Sequence, residues 1–376
     1  MKLMSRKSGM ISRRVVLGAP LGGLALASLG GAAAHGTPGV KVPERRIFSA
    51  SYADITNGSD RIKRLAARFD EIHANEVAIS MGRIEKALFP WRGQILESDS
   101  PQADQVQEVI DAIAVNGGCR RPVTLILDAL IPEKIKRDPT VAGVGTKGEV
   151  SGTHPSLKAL TRGEIGEKII EMAAEAARRY QPTAISLTDL YFEDTTYGQN
   201  DLEDFTYETG ASDWPRRNGE IDVSDPLIVS WRCQALASLV RRVREAVNAA
   251  APNRPELWME VKAPLEDANG DRKDAGQDYG LLAERADRLV LWNYFDNVTD
   301  TSPSTRDLAA AFAARSRGRD ILSIGLWGRD DSTITPEKLN AAAKEAVEGG
   351  STAVWVTPSD LMTDAHWKAL AEAWRR

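Results

Sequence analysis

The chain is short of the side chains from which nucleophilic relays and transition-metal sites are built, with four histidines and two cysteines among 376 residues. His35 lies in an N-terminal segment discussed below, and His73 and His366 fall in or beside helical patterns, which leaves His154 alone in a long loop. That supply does not furnish a multi-histidine metal site or a Ser/His/Asp triad. No metal and no organic cofactor is therefore expected, and acid–base chemistry has to rest on carboxylates. Cys119 and Cys233 could pair in an oxidising compartment or remain two thiols, and their spacing does not decide which. Internal repeats, heptads and low-complexity tracts are also missing beyond the first residues.

Long apolar runs are absent apart from the N-terminal 34 residues. There Ser12-Arg13-Arg14-Val15-Val16-Leu17 forms a twin-arginine pattern, followed by a Gly/Ala-rich stretch ending in Ala32-Ala33-Ala34, a small-residue cleavage site. Pro20 and the many glycines make that stretch a poor spanning helix. Residues 1–34 thus read as a twin-arginine signal peptide, and the mature chain as exported to a periplasm, a cell wall or the medium. Five cations and no acid lie in the segment, so its removal takes the formal charge from −5 to −10. So acidic a chain has no electrostatic footprint for nucleic acid or an anionic membrane surface. Its oligomeric state is not legible.

What is present is an alternation of short β-rich runs with helical ones, repeated eight times. The runs are 47–52, 77–82, 122–128, 183–190, 257–262, 288–294, 320–327 and 352–357. Between them, Thr161-Arg-Gly-Glu164 has the spacing of a capping box, and Asp225-Pro226 and Thr335-Pro336 each offer a cap followed by a first-turn proline. Segments leaving the strands are long (83–101, 129–158, 191–225, 263–277), whereas two or three residues suffice after the helices. This predicts one α/β domain over residues 35–376, a (β/α)8 TIM barrel with long loops at the C-terminal face of its strands, the face that carries active sites. Residues 139–153 are expected to be a loop without regular structure. Asp267-Ala-Asn269-Gly-Asp271 opens like a calcium loop, but Arg272 stands where the sharp turn needs glycine, so a solvated loop is expected.

Several of these runs end in polar groups that a barrel would gather over one mouth: Asp128, Asp189, Glu260 with Lys262, Asn293 and Trp327. Carboxylates accept hydrogen bonds from hydroxyls, and aromatic faces stack on the C–H face of a sugar ring. Glycosidic cleavage needs two carboxyl groups with different protonation. Asp189 and Glu260 end neighbouring strands about 5 Å apart, with Asp189 expected as nucleophile and Glu260, among apolar neighbours, as acid/base. Asp128, Glu193, Asn293, Trp327, Arg83 and Trp214 are expected to bind an oligo- or polysaccharide substrate.

TAISLTDLYFED (183–194), followed by DWPRRNGEIDVSDPLIVSW (213–231), resembles the glycoside-hydrolase-like barrel proteins grouped as family-10-like glycosyl hydrolases. The resemblance implies a barrel distantly similar to α-amylase-type enzymes, with an aspartate nucleophile after the fourth strand and a glutamate acid/base after the fifth, here Asp189 and Glu260. The expectation is an exported glycoside hydrolase acting with retention on a cell-wall or environmental glycan. Its alternative is a non-catalytic glycan-binding barrel.

Overall fold

A computed structural model describes residues 41–96, 103–116, 119–192, 194–295, 301–329 and 332–375, without the side chains of 115, 116 and 119. The expected signal peptide, Glu193 and the Cys119 thiol lie outside the described residues. Cys233 is a buried free thiol. Lys41–Arg376 forms one compact unit.

Eight strands make the barrel: Arg45–Ala50 (β1), Glu76–Arg83 (β2), Val123–Asp128 (β3), Ala184–Thr188 (β4), Glu256–Lys262 (β5), Arg288–Asn293 (β6), Ile321–Gly325 (β7) and Ala353–Thr357 (β8). Each pairs in parallel with the next, and β8 pairs with β1, so the sheet closes on itself. Closure leaves the barrel sheet without an open edge. These are short runs rich in valine, isoleucine and leucine, covered on both faces, which is why they read as continuous apolar segments rather than alternating ones.

The helices that follow the strands are Ser59–Glu71 (α1), Gln105–Val109 (α2), Glu164–Tyr180 (α3), Pro226–Ala250 (α4), Tyr279–Ala283 (α5), Thr305–Ser316 (α6), Pro336–Glu348 (α7) and Asp364–Ala373 (α8). On α1, buried Ile62, Leu65 and Phe69 recur at helical spacing and seat the helix on the barrel. The Asp225 carboxylate accepts from the Leu227 amide at 2.8 Å and the Thr335 hydroxyl from the Lys338 amide at 3.2 Å, each ahead of a first-turn proline. The capping box at 161–164 does not form. Thr161 instead ends the short helix Leu157–Thr161, its hydroxyl donating to the Leu157 carbonyl, and α3 starts from Gly163. Chain reversal there is so tight that a Cβ on Gly166 would collide with the Leu160 carbonyl.

Residues 139–153 also depart from expectation. Ala142–Val144 pairs antiparallel with Val150–Pro155, giving the loop after β3 a hairpin. The loop after β4 contains a helix, Gln199–Thr209, and a small ladder, Arg216–Arg217 with Glu220–Ile221. Residues 267–271 form a local turn in which the Asp267 carboxylate accepts from the Asn269 amide.

Inside the barrel, Ile47, Ala78, Ala184, Trp258, Val290, Ile321, Ala353 and Trp355 form one buried apolar cluster, the two indoles edge-on with centroids 6.2 Å apart. At the N-terminal ends of the strands, Arg45 pairs with Glu76 at 2.6 Å and Arg288 with Glu256 at 2.7 Å, while the Trp258 indole donates to Glu256. The lower barrel is thereby plugged, and the polar positions nearest the C-terminal ends face an open mouth.

Candidate active site

Strand register sets the height of each side chain at the mouth. Asp128 lies opposite Thr188, and Leu187 opposite Met259, so Asp128, Thr188 and Glu260 stand at one level on β3, β4 and β5 and, by strand alternation, face inward. Glu260 is 5% exposed and accepts hydrogen bonds from Ser186 Oγ (2.8 Å), Thr188 Oγ1 (3.0 Å) and Trp292 Nε1 (2.7 Å). An indole N–H can only donate, so these partners hold Glu260 as an acceptor. Burial pushes its carboxyl up to about 7 against the three hydrogen bonds, which favour the ionised form.

Asp189 reaches the mouth by a different device. Alternation would send residue 189 away from the barrel axis, but its φ is +57°, a left-handed conformation that ends β4 and turns the side chain into the cavity. Aspartate is among the few non-glycine residues that take up this conformation readily, and such geometry clusters at functional sites. Among the described residues no group hydrogen-bonds the Asp189 carboxylate. Burial, then the charges of Asp128 and Glu260, push it up to about 8 despite the opposing pull of Arg83 and Lys262. Asp128 is also raised by burial, while Arg83 Nε at 2.6 Å and the Leu130 amide at 2.8 Å favour its ionised form.

A buried strut ties the two sides of this pair. Gln277, fully inaccessible, donates through Nε2 to the Leu190 carbonyl at 2.9 Å and the Glu260 carbonyl at 3.4 Å, and accepts from the Lys262 amide at 2.9 Å. It fixes the chain after Asp189 against the end of β5.

Beside the carboxylates the wall is aromatic. His154, Tyr191, Trp292, Tyr294 and Trp327 follow one another with ring centroids 4.9, 6.0, 5.1 and 5.0 Å apart, and Lys262 Nζ sits 4.2 Å from the Tyr191 ring centre. Gly325 at the end of β7 makes room for this wall, since a Cβ there would penetrate the Tyr294 ring. Tyr191, Trp292, Tyr294 and Trp327, with Tyr52 and Trp355, line a cavity of about 420 Å³ that the three carboxylates share.

Of the residues singled out from sequence, Asp128, Asp189, Glu260 and Trp327 meet in this cavity, and Arg83 lines an adjoining one through its pair with Asp128. Two do not join them. Trp214 is buried against Tyr197, Phe205 and Trp231 beneath the loop after β4, because an aromatic in a charged loop is as easily the loop's own core. Asn293, at outward parity on β6, donates to Thr305 Oγ1 and borders a small neighbouring pocket of about 50 Å³. Sequence reasoning passed over Ser186, Thr188, Trp292, Tyr294 and Gln277. Inward parity with Ala184 and Val290 could have found Ser186, Thr188 and Trp292, while Gln277 carries no sequence signal.

Such a mouth suits a neutral polyol: carboxylates for hydroxyls, ring faces for C–H surfaces, and carboxyl groups in unlike environments, the condition for splitting acid and base roles. No metal-binding group of three or more acidic, histidine or cysteine residues occurs among the described residues.

No family model and no curated protein matches the sequence. Solved structures do match. The glycoside hydrolase domain of PgaB (BpsB) from Bordetella bronchiseptica is similar with a TM-score of 0.62 and 16% identity over 89% of this chain and 99% of that one. A β-galactosidase from the psychrophilic Marinomonas ef1 has a TM-score of 0.65 and 13% identity over 88% of this chain, which spans only 59% of that protein. The catalytic domain of a β-amylase from Paenibacillus polymyxa gives 0.61 and 10% over 88% and 98%. The likeness is one of fold, a (β/α)8 barrel, and the barrels it groups with belong to glycoside hydrolases.

Proposed function

We propose that the protein is a glycoside hydrolase, exported by the twin-arginine route, that cleaves a cell-wall or environmental glycan with the pair Asp189 and Glu260. The observation that carries this reading is the contrast between the two carboxyls in one aromatic-walled cavity: Glu260 is fixed by three donors, whereas Asp189 has none among the described residues and is the more strongly raised. The environments favour the exchange of the roles expected from sequence. Glu260 suits the nucleophile, and Asp189, raised to about 8, suits the group that is protonated at neutral pH.

In this mechanism a Glu260 oxygen attacks the anomeric carbon while Asp189 passes its proton to the departing glycosidic oxygen, and the C–O bond breaks. Asp189 then takes a proton from water, which attacks the same carbon and releases Glu260 from its ester. Neighbouring strands place the pair close together, supporting the short separation that retention requires. Asp128, Arg83 and Trp327 are proposed to hold substrate.

Asp189→Asn and Glu260→Gln are each expected to lower release of reducing sugar by at least 1000-fold while the far-ultraviolet circular dichroism stays unchanged. Full activity in either variant would refute the assignment. Wild-type protein that bound labelled glycan and returned it uncut after long incubation would make the barrel a binding protein instead.

A further inference from the structure

The central cavity does not end at the carboxylates. On the β2–β3 side it shares Tyr52, Ser80 and Asp128 with a second cavity of about 410 Å³ that runs outward to exposed Lys86 and Arg137. Toward β6–β7 it continues over Tyr294 to Trp327, which is 38% exposed. In a closed ring of eight strands, the β2–β3 and β6–β7 positions face each other across the mouth. A linear trench thus crosses the barrel, with a polar arm at one end, an aromatic platform at the other, and Asp189 and Glu260 between them.

We infer that the enzyme cuts inside a glycan chain rather than trimming it from an end, with sugar-binding positions on both sides of the scissile bond. This rests on the glycosidase reading above. An end-trimming enzyme needs a wall that stops the chain one or two sugars beyond its carboxylates, and among the described residues both directions lead to exposed side chains, Lys86 and Arg137 on one side and Trp327 on the other. The two arms differ in chemistry. Ring faces at Tyr294 and Trp327 grip by stacking, whereas Arg83, Lys86 and Arg137 grip through hydroxyl or other polar substituents. Binding energy from sugars remote from the cut is then available to the reaction itself.

The test uses soluble β-glucan, β-galactan, starch and glycol chitin, each borohydride-reduced at one end and ethylidene-capped at the other. With the polymer that the enzyme cleaves, the expected result is that viscosity halves before more than a few per cent of the linkages have opened, and that capped and uncapped polymers are cut at equal rates. For oligomers of that polymer, kcat/KM is expected to rise about tenfold or more between two and six sugars. Arg137→Ala should flatten that rise while leaving the rate on the shortest cleavable oligomer unchanged, and Trp327→Ala should lower the rate on long oligomers more than on short ones. Early release of mono- or disaccharide with capped polymer left intact would overturn the inference and leave the glycosidase reading standing. No cleavage of any polymer, capped or free, would remove both.

Discussion

Asp128 and Arg83 form one ion pair beside Asp189, and removing its two halves should move the same pH limb in opposite directions. If Asp189 must be protonated to act, the alkaline limb of kcat/KM reports its loss of a proton near pH 8, and the acid limb reports protonation of Glu260 near pH 7. Asp128 raises the Asp189 carboxyl by repelling its charged form, and Arg83 lowers it by attraction. Carboxylates on neighbouring strands lie roughly 6 Å apart, so at an effective dielectric constant near 20 their full repulsion is about 2.8 kcal/mol, or about two pH units. Arg83, paired with Asp128 at 2.6 Å, neutralises part of the Asp128 charge. Half of the full effect is a fair expectation. Asp128→Asn should bring the alkaline limb down by about one pH unit, from near 8 toward 7. Arg83→Met should carry it upward, by less, because that side chain is 35% exposed and screened by solvent. Initial rates between pH 5 and 10 on a soluble polymer, at constant ionic strength, measure both limbs. An alkaline limb that stayed in place in both variants, or moved the same way in both, would refute Asp189 as the group that titrates there.

Three further outcomes are expected. Asp189→Asn should raise the melting temperature at pH 7, by a few degrees: a carboxyl whose folded pKa lies above its unfolded value stabilises fully only at low pH and loses that contribution as pH rises, whereas asparagine has no charge to lose. The gain, read by differential scanning calorimetry, should shrink at pH 4, and equal gains at both values would contradict the account. Gly325→Ala should displace Tyr294 and cost about 1–3 kcal/mol in a urea titration, with a raised KM, because the new methyl has no free volume. Gln277→Leu leaves the Leu190 and Glu260 carbonyls and the Lys262 amide short of a buried partner, so it should destabilise by about 2–4 kcal/mol and lower kcat more than Gln277→Glu does; a wild-type kcat in the leucine variant would show that the strut does not position the pair.

All eight strands were legible to within a few residues, since buried parallel strands leave continuous valine, isoleucine and leucine runs that helices interrupt with a 3.6 period. Caps at Asp225 and Thr335 were equally plain, because proline at the first helical position leaves little choice of start. Thr161 was misread because a cap motif is a local signal, while the reversal at Gly163–Gly166 is set by how closely α3 approaches the preceding helix. At the site, Glu260 and Asp128 could be placed by alternation alone. Asp189 could not: alternation aims it outward, and only the left-handed backbone at that residue brings it in. The aromatic wall is a property of ring contacts between four strands and their loops, which no linear pattern encodes.

The plugged lower barrel has a consequence for turnover. With Trp258 and Trp355 packed edge-on across the axis above two arginine–glutamate pairs, the cavity that the three carboxylates share has no rear exit among the described residues. If the barrel cleaves a glycan as proposed, products leave and fresh chain arrives on the same open face, and accumulating short products are expected to compete with polymer for it.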